Sequence, residues 1–288
     1  MAEQSPLVSI DWLATQSGLR DQPANNKLVV VDGSWYMPAD KRDAAAEYRQ
    51  GHIPGAVFFD LDGISDTTSA LPHMLPTPEA FAKAVGALGI SDQSTIVVYD
   101  GSGLFSAARV WWTFRHFGAH DVYVLDGGFP LWKEQGLPVE TGTVSRPAAV
   151  FNPNEKLEAA INAEDLLNKL ETGAVQVVDA RAAARFRGEV AEPRPGLRSG
   201  HIPGSRNLPF GELLNNGRLK SPQDIEALFG QAGVTTDKPV IVSCGSGVTA
   251  AVLALGLATT RNPVQALYDG SWSEWGSRED LPLATGPA

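Results

Sequence analysis

A chain of 288 residues, 43% of them hydrophobic, holds enough apolar material for one large or two ordinary domains with proper cores. Its net charge of −10 argues against a nucleic-acid partner, and its apolar stretches are too short and too often broken by Gly, Pro or charge to span a membrane. The single cysteine excludes an intramolecular disulfide, and the N-terminus lacks the basic and apolar regions of a secretory signal, which together point to a reducing, cytoplasmic location.

In chain order, the first strand-like run is Val29-Val30-Val31-Asp32, followed by the turn Gly51-His52-Ile53-Pro54-Gly55 and an amphipathic segment over Glu79 to Leu88. Thr95 to Tyr99 is continuously β-branched and apolar, as a buried parallel strand should be. It runs into Asp100-Gly101-Ser102-Gly103, a second amphipathic segment over Ser106 to Phe117, and Asp126-Gly127-Gly128. Thr141 to Pro153, rich in Pro, Ala and small polar residues, reads as a surface connector. Beyond it come Val177-Val178-Asp179, an unchanged Gly200-His201-Ile202-Pro203-Gly204, a helical pattern over Pro222 to Ala232, and the apolar run Val240 to Ser243. Last are Cys244-Gly245-Ser246-Gly247-Val248-Thr249, a further amphipathic segment over Val248 to Ala258, and Asp269-Gly270-Ser271.

Four landmarks thus recur in the same order at a near-constant spacing of roughly 145 residues, which indicates a duplicated domain rather than a short-period solenoid. The expected organisation is a first domain over residues 1–140, a linker over 141–155 with the boundary near 155, and a second domain over 156–288. Alternating strands and helices in each copy predict an α/β fold, a parallel sheet flanked by helices on both faces.

Cys244 is the residue on which chemistry would turn. A thiol at the end of a buried strand, ahead of a glycine-rich turn and a helix, faces backbone N–H groups and a helix N-terminus, and both favour the thiolate. Gly245 and Gly247 let the backbone approach sulfur without a side-chain clash. In the first copy Asp100 stands where Cys244 stands, so that copy has no nucleophile. A cysteine-based phosphatase would need an arginine at position 250 to bind phosphoryl oxygens, and this chain has Ala250.

These residues closely resemble the two-domain rhodanese family of sulfurtransferases, in which an inactive rhodanese domain precedes an active one, and the resemblance covers nearly the whole chain. The loop Cys244-Gly245-Ser246-Gly247-Val248-Thr249 reads as in the 3-mercaptopyruvate sulfurtransferase branch, whereas thiosulfate-using members carry basic residues after the cysteine. The resemblance implies sulfur transfer from 3-mercaptopyruvate through a Cys244 persulfide to a thiol or cyanide, with release of pyruvate and thiosulfate as a weaker donor. It also implies substrate binding by the loop residues Gly245, Gly247, Val248 and Thr249 and by Arg185 and Arg194, with Arg187 one register slip from Arg185. Ser246, His73 and Asp62 match a proton relay proposed for that branch; the last two lie in the first half and would reach Ser246 only across a domain cleft. The acceptor that the resemblance implies is a thioredoxin-like dithiol. No cofactor is called for, the histidines and cysteine lack metal-ligand spacing, and a monomer is expected. The alternatives are a thiosulfate sulfurtransferase and a non-catalytic carrier of persulfide sulfur.

Other residues read as structural. His52 and His201 recur identically in a copy that lacks the thiol, which suits a turn-fixing role. Trp111, Trp112, Trp272 and Trp275 are expected in the core, and His116 and His120 at an exposed helix end.

Overall fold

The β-branched runs form the central strands of two sheets of identical topology. The computed structural model describes residues 5–19, 25–154, 159–235, 238–260 and 264–287, so the boundary expected near residue 155 lies outside the described residues. The chain divides into two compact units, the first made of residues 1–67, 76–157 and 216–219, the second of 68–75, 158–215 and 220–288. Each unit therefore takes in a short segment from the other half of the sequence.

In the first unit β1 (Leu7–Val8), β2 (Leu28–Asp32), β3 (Val57–Phe58), β4 (Thr95–Tyr99) and β5 (Val122–Leu125) form an all-parallel sheet in the order β1-β5-β4-β2-β3. Around it lie α1 (Ile10–Gln16), α2 (Ala44–Gln50), α3 (Leu61–Ile64), α4 (Pro78–Ala87), α5 (Ala107–His116) and α6 (Gly128–Glu134). In the second unit β6 (Ala160–Ile161), β7 (Gln176–Asp179), β8 (Arg206–Asn207), β11 (Val240–Ser243) and β12 (Ala266–Tyr268) repeat the order as β6-β12-β11-β7-β8, again all parallel. Its helices are α7 (Ala163–Glu171), α8 (Ala183–Phe186), α9 (Pro222–Gln231), α10 (Ala250–Ala258) and α11 (Ser271–Trp275); the short strand β9 (Leu214–Asn215) precedes α9, and β10 (Arg218–Leu219) falls in the segment 216–219 that belongs to the first unit.

Local chemistry repeats with the topology. Thr77 caps α4 and Ser221 caps α9, each accepting a hydrogen bond from the N–H three residues on, and each followed by a proline at the first helical position. Trp132 and Trp275 are fully buried in matching places, each giving its indole N–H to a proline carbonyl. His52 and His201 have the structural partners expected of turn-fixing residues: each ring holds the carbonyl of an earlier residue through Nδ1, at 2.8 Å, and stacks on Tyr48 or Phe186.

Two expectations are corrected. Helices α5 and α10 are buried on nearly every side rather than amphipathic, because each lies within the apolar interior of its unit. For the same reason His116 is buried and stacked on Trp112, while His120 is exposed as expected. Among the described residues no helix is long and apolar enough to cross a membrane.

Candidate active site

Strand β11 lies between β12 and β7, and Cys244 follows its last residue, so the thiol stands at the carboxyl end of a central strand, where α/β sheets hold their ligands. From there the loop enters α10 through Thr249, with Gly247 at a φ of 77°. Its first carbonyls are tied down: Trp272 N donates to Cys244 O at 3.0 Å, and Ser273 N and Oγ donate to Gly245 O at 2.9 and 2.7 Å. Among the described residues, no protein acceptor takes the N–H of Gly245, Ser246, Gly247, Val248 or Thr249. The loop is thus an array of donors around a buried sulfur, available to an anion.

The sister loop shows such an array in use. Asp100 accepts from Ser102 N at 2.8 Å, Phe105 N at 2.6 Å and Ala107 N at 2.9 Å, so its own carboxylate fills the cradle. Burial raises the Asp100 pKa, and these N–H groups oppose that rise.

Positive charge reaches Cys244 from a residue that sequence reasoning did not single out. Arg181, 2% exposed, donates from Nε and Nη2 to the Asp179 carboxylate at 2.9 and 2.6 Å, and from Nη1 to Glu192 at 3.0 Å. Desolvation works against its charge, but Asp179, Glu192 and Cys244 outweigh it and raise its pKa. The available signal was the contrast between copies: Asp179-Ala180-Arg181 in the second, Asp32-Gly33-Ser34 in the first.

Arg185 shares Glu192, donating from Nη2 at 2.6 Å and Nε at 3.2 Å. A Cβ placed on Gly245 would stand 3.1 Å from Arg185 Nη2, so this guanidinium borders the loop. Arg187 instead pairs with the exposed Glu189 at 2.6 Å. Arg194 is half-buried in the same segment.

His73 belongs to the second unit, because residues 68–75 are part of it. The segment is anchored by Leu75 N, which donates to Asp269 Oδ2 at 2.9 Å. His73 Nδ1 lies 3.0 Å from Ser246 Oγ, with both residues buried. Its backbone adopts a φ of 58°, a left-handed conformation that costs a non-glycine residue about 1 kcal/mol or more and is held by the surrounding structure. Asp62 is described with the first unit, exposed in the first turn of α3, where Oδ2 accepts from Trp35 Nε1 at 3.0 Å. The first unit uses the same anchoring device: Leu219 N donates to Asp126 Oδ1 at 3.1 Å, and Gly217 packs closely on Gly103. The structure therefore brings Cys244, Ser246, His73 and Arg185 together around one loop.

Asp32 carries a measurable consequence of losing the arginine. It is buried, Ser34 and the Tyr99 hydroxyl are its hydrogen-bond partners, and desolvation raises its pKa from 3.8 to about 6. A folded-state pKa above the unfolded one means that the folded protein binds the proton more tightly. The stability contributed by this group is therefore fully present below pH 3.8 and lost as pH rises through about 6, a difference of about 3 kcal/mol by neutral pH. Asp32→Asn is expected to stabilise the protein by about 1–3 kcal/mol at pH 7.5 in urea unfolding, with the gain shrinking toward pH 4.5. A pH-independent difference between variant and wild type would show that the carboxyl is not perturbed.

Comparison with known proteins agrees with the duplicated architecture. The model of the rhodanese-like domain matches residues 15–135 and again 162–278. The 3-mercaptopyruvate sulfurtransferase of Escherichia coli strain K12 is 49% identical over 277 residues, with 96% of each chain covered. A thiosulfate/3-mercaptopyruvate sulfurtransferase of Arabidopsis thaliana is 42% identical over 305 residues, covering 98% of this chain and 79% of its own. The crystal structure of SseA from Escherichia coli, described as a 3-mercaptopyruvate sulfotransferase with the rhodanese fold, superposes with a TM-score of 0.85 at 45% identity, covering 93% of this chain and 99% of that one. With both halves matched and the topology repeated strand for strand, the chain belongs to the rhodanese family, as a protein of two rhodanese-like domains.

Proposed function

We propose that this protein transfers sulfur from 3-mercaptopyruvate to a thiol or cyanide through a persulfide on Cys244, releasing pyruvate. The observation that carries the reading is the His73–Ser246 pair, 3.0 Å apart, on an otherwise uncharged cysteine loop. The Cys244 thiolate attacks the substrate sulfur: an S–S bond forms, the carbon–sulfur bond breaks, and its electron pair leaves with the enolate of pyruvate. The thiol proton passes through Ser246 and His73 to the enolate carbon, leaving a persulfide anion. By analogy with Asp100, the N–H groups of Ser246 and Thr249, counterparts of Ser102 and Phe105, hold that anion.

Arg185 and Arg194 are proposed to bind the substrate carboxylate and carbonyl. Arg185 spends two of its five N–H donors on Glu192, so three are left for substrate. Gly245 leaves open the space that a basic loop residue would fill, and Arg185 Nη2 borders it, which supports Arg185 over Arg187. Gly247, Val248 and Thr249 complete the loop around the substrate. The outer sulfur then passes to the acceptor, proposed to be a thioredoxin-like dithiol. No second chain is needed to assemble these groups, so we propose a monomer, with a cytoplasmic location consistent with one unpaired cysteine.

The test is kcat/KM for mercaptopyruvate and thiosulfate side by side, with cyanide as acceptor, in wild type and Arg185→Met. Mercaptopyruvate is expected to be preferred, and the substitution to lower its kcat/KM by roughly 10–100-fold, chiefly through KM. A strong preference for thiosulfate overturns the donor assignment.

A further inference from the structure

The first unit, which has no nucleophile, retains a cavity of about 400 Å³ beside its silent loop. Asp32 and Ser34 lie on its wall with Gly101 of the loop; Tyr36, Tyr48 and Phe129 are its aromatic lining residues, with Arg42 over the Tyr36 ring, and Lys133 also lines it. Two of its charges satisfy each other: Arg42 donates to Glu47 through Nε at 2.8 Å and through Nη2, and Tyr36 OH bonds the same carboxylate at 3.0 Å. The other two do not. Asp32 is 3% exposed, and among the described residues no cation pairs with it, whereas its counterpart Asp179 is held by two nitrogens of Arg181. Lys133 lies with Nζ 4.8 Å from the centre of the Phe129 ring and within electrostatic reach of Glu47, but makes no ion pair among the described residues.

We propose that this cavity binds a small zwitterion of the amino-acid class, with its ammonium group against Asp32, its side chain against Tyr36, Tyr48 and Phe129, and its carboxylate turned to Lys133. The ammonium group replaces the guanidinium that Ser34 leaves out, and it offsets the desolvation that burial imposes on the Asp32 carboxylate. The aromatic rings suit an apolar side chain, and the volume lies within the range of small-molecule sites. The lining residues of this cavity lie in the first unit, and Cys244 lies in the second.

Calorimetric titration of the full chain at pH 7.5 with L-phenylalanine, phenethylamine and 3-phenylpropionate tests the assignment, because the three share one body and differ only in charge. L-Phenylalanine is expected to bind, phenethylamine several-fold more weakly, and 3-phenylpropionate not at all. Ser34→Arg, which sets an internal cation beside Asp32, is expected to abolish binding. Asp32→Asn, which leaves the cavity its size, is expected to weaken it at least tenfold, and Lys133→Ala to erase the advantage of L-phenylalanine over phenethylamine. Absence of L-phenylalanine binding up to about 10 mM overturns the proposal, as does binding that survives both Ser34→Arg and Asp32→Asn or equal binding of 3-phenylpropionate.

Discussion

Cys244→Ser is expected to abolish sulfur transfer from mercaptopyruvate and from thiosulfate alike, by at least about 10⁴-fold in kcat. The chain has no other thiol to take over, and the equivalent loop position in the first unit is Asp100, whose carboxylate is already saturated by three backbone N–H groups. A serine hydroxyl fits the same space beneath the loop but stays protonated at neutral pH and forms no persulfide, so binding survives while the chemical step is lost. Mass spectrometry of the intact protein after mercaptopyruvate treatment, with no acceptor present, gives a second readout. Wild type should gain one sulfur atom that cyanide removes, and the variant should gain none. An unmodified wild-type thiol would instead favour a carrier loaded by a separate desulfurase, and residual turnover of a few per cent in the variant would mean that sulfur does not pass through Cys244.

The strands that position this cysteine were readable because burial on both faces writes a continuous apolar run. Thr95–Tyr99 and Val240–Ser243 coincide with β4 and β11, and the helices α4 and α9 fall within a residue of the expected ranges. The edge strands β1, β3, β6 and β8 were not seen, since two-residue strands carry no period. Cys244 stood out through the duplication, which supplied an internal comparison with Asp100. What a linear reading could not supply is the company of that thiol. Arg181 looks like any strand-end arginine until Asp179 and Glu192 are seen to enclose it. His73 reads as a residue of the first domain, and only its contacts assign residues 68–75 to the second unit. His116 misled because the periodicity of α5 suggests a wet face that the fold in fact buries.

His73→Ala and Ser246→Ala are expected to cut kcat/KM for mercaptopyruvate by about 10²–10³-fold while leaving thiosulfate turnover within about threefold of wild type. The asymmetry follows from the donors: mercaptopyruvate carries a thiol proton that must leave sulfur as an enolate forms, whereas thiosulfate transfers its outer sulfur without either step. The structure gives the pair a physical basis for acting as a unit. Nδ1 and Oγ are 3.0 Å apart and both residues are buried, so neither group exchanges its partner for water without moving the loop. His73 is also held at a φ of 58°, and the anchor from Leu75 N to Asp269 lies two residues away. Residues acting through one hydrogen bond couple strongly, so the double variant should be barely worse than either single one. Its pH–rate profile should likewise lose the ionisation that the relay contributes. Equal losses with both donors, or additive losses in the double variant, would show that His73 and Ser246 shape the loop without moving the proton.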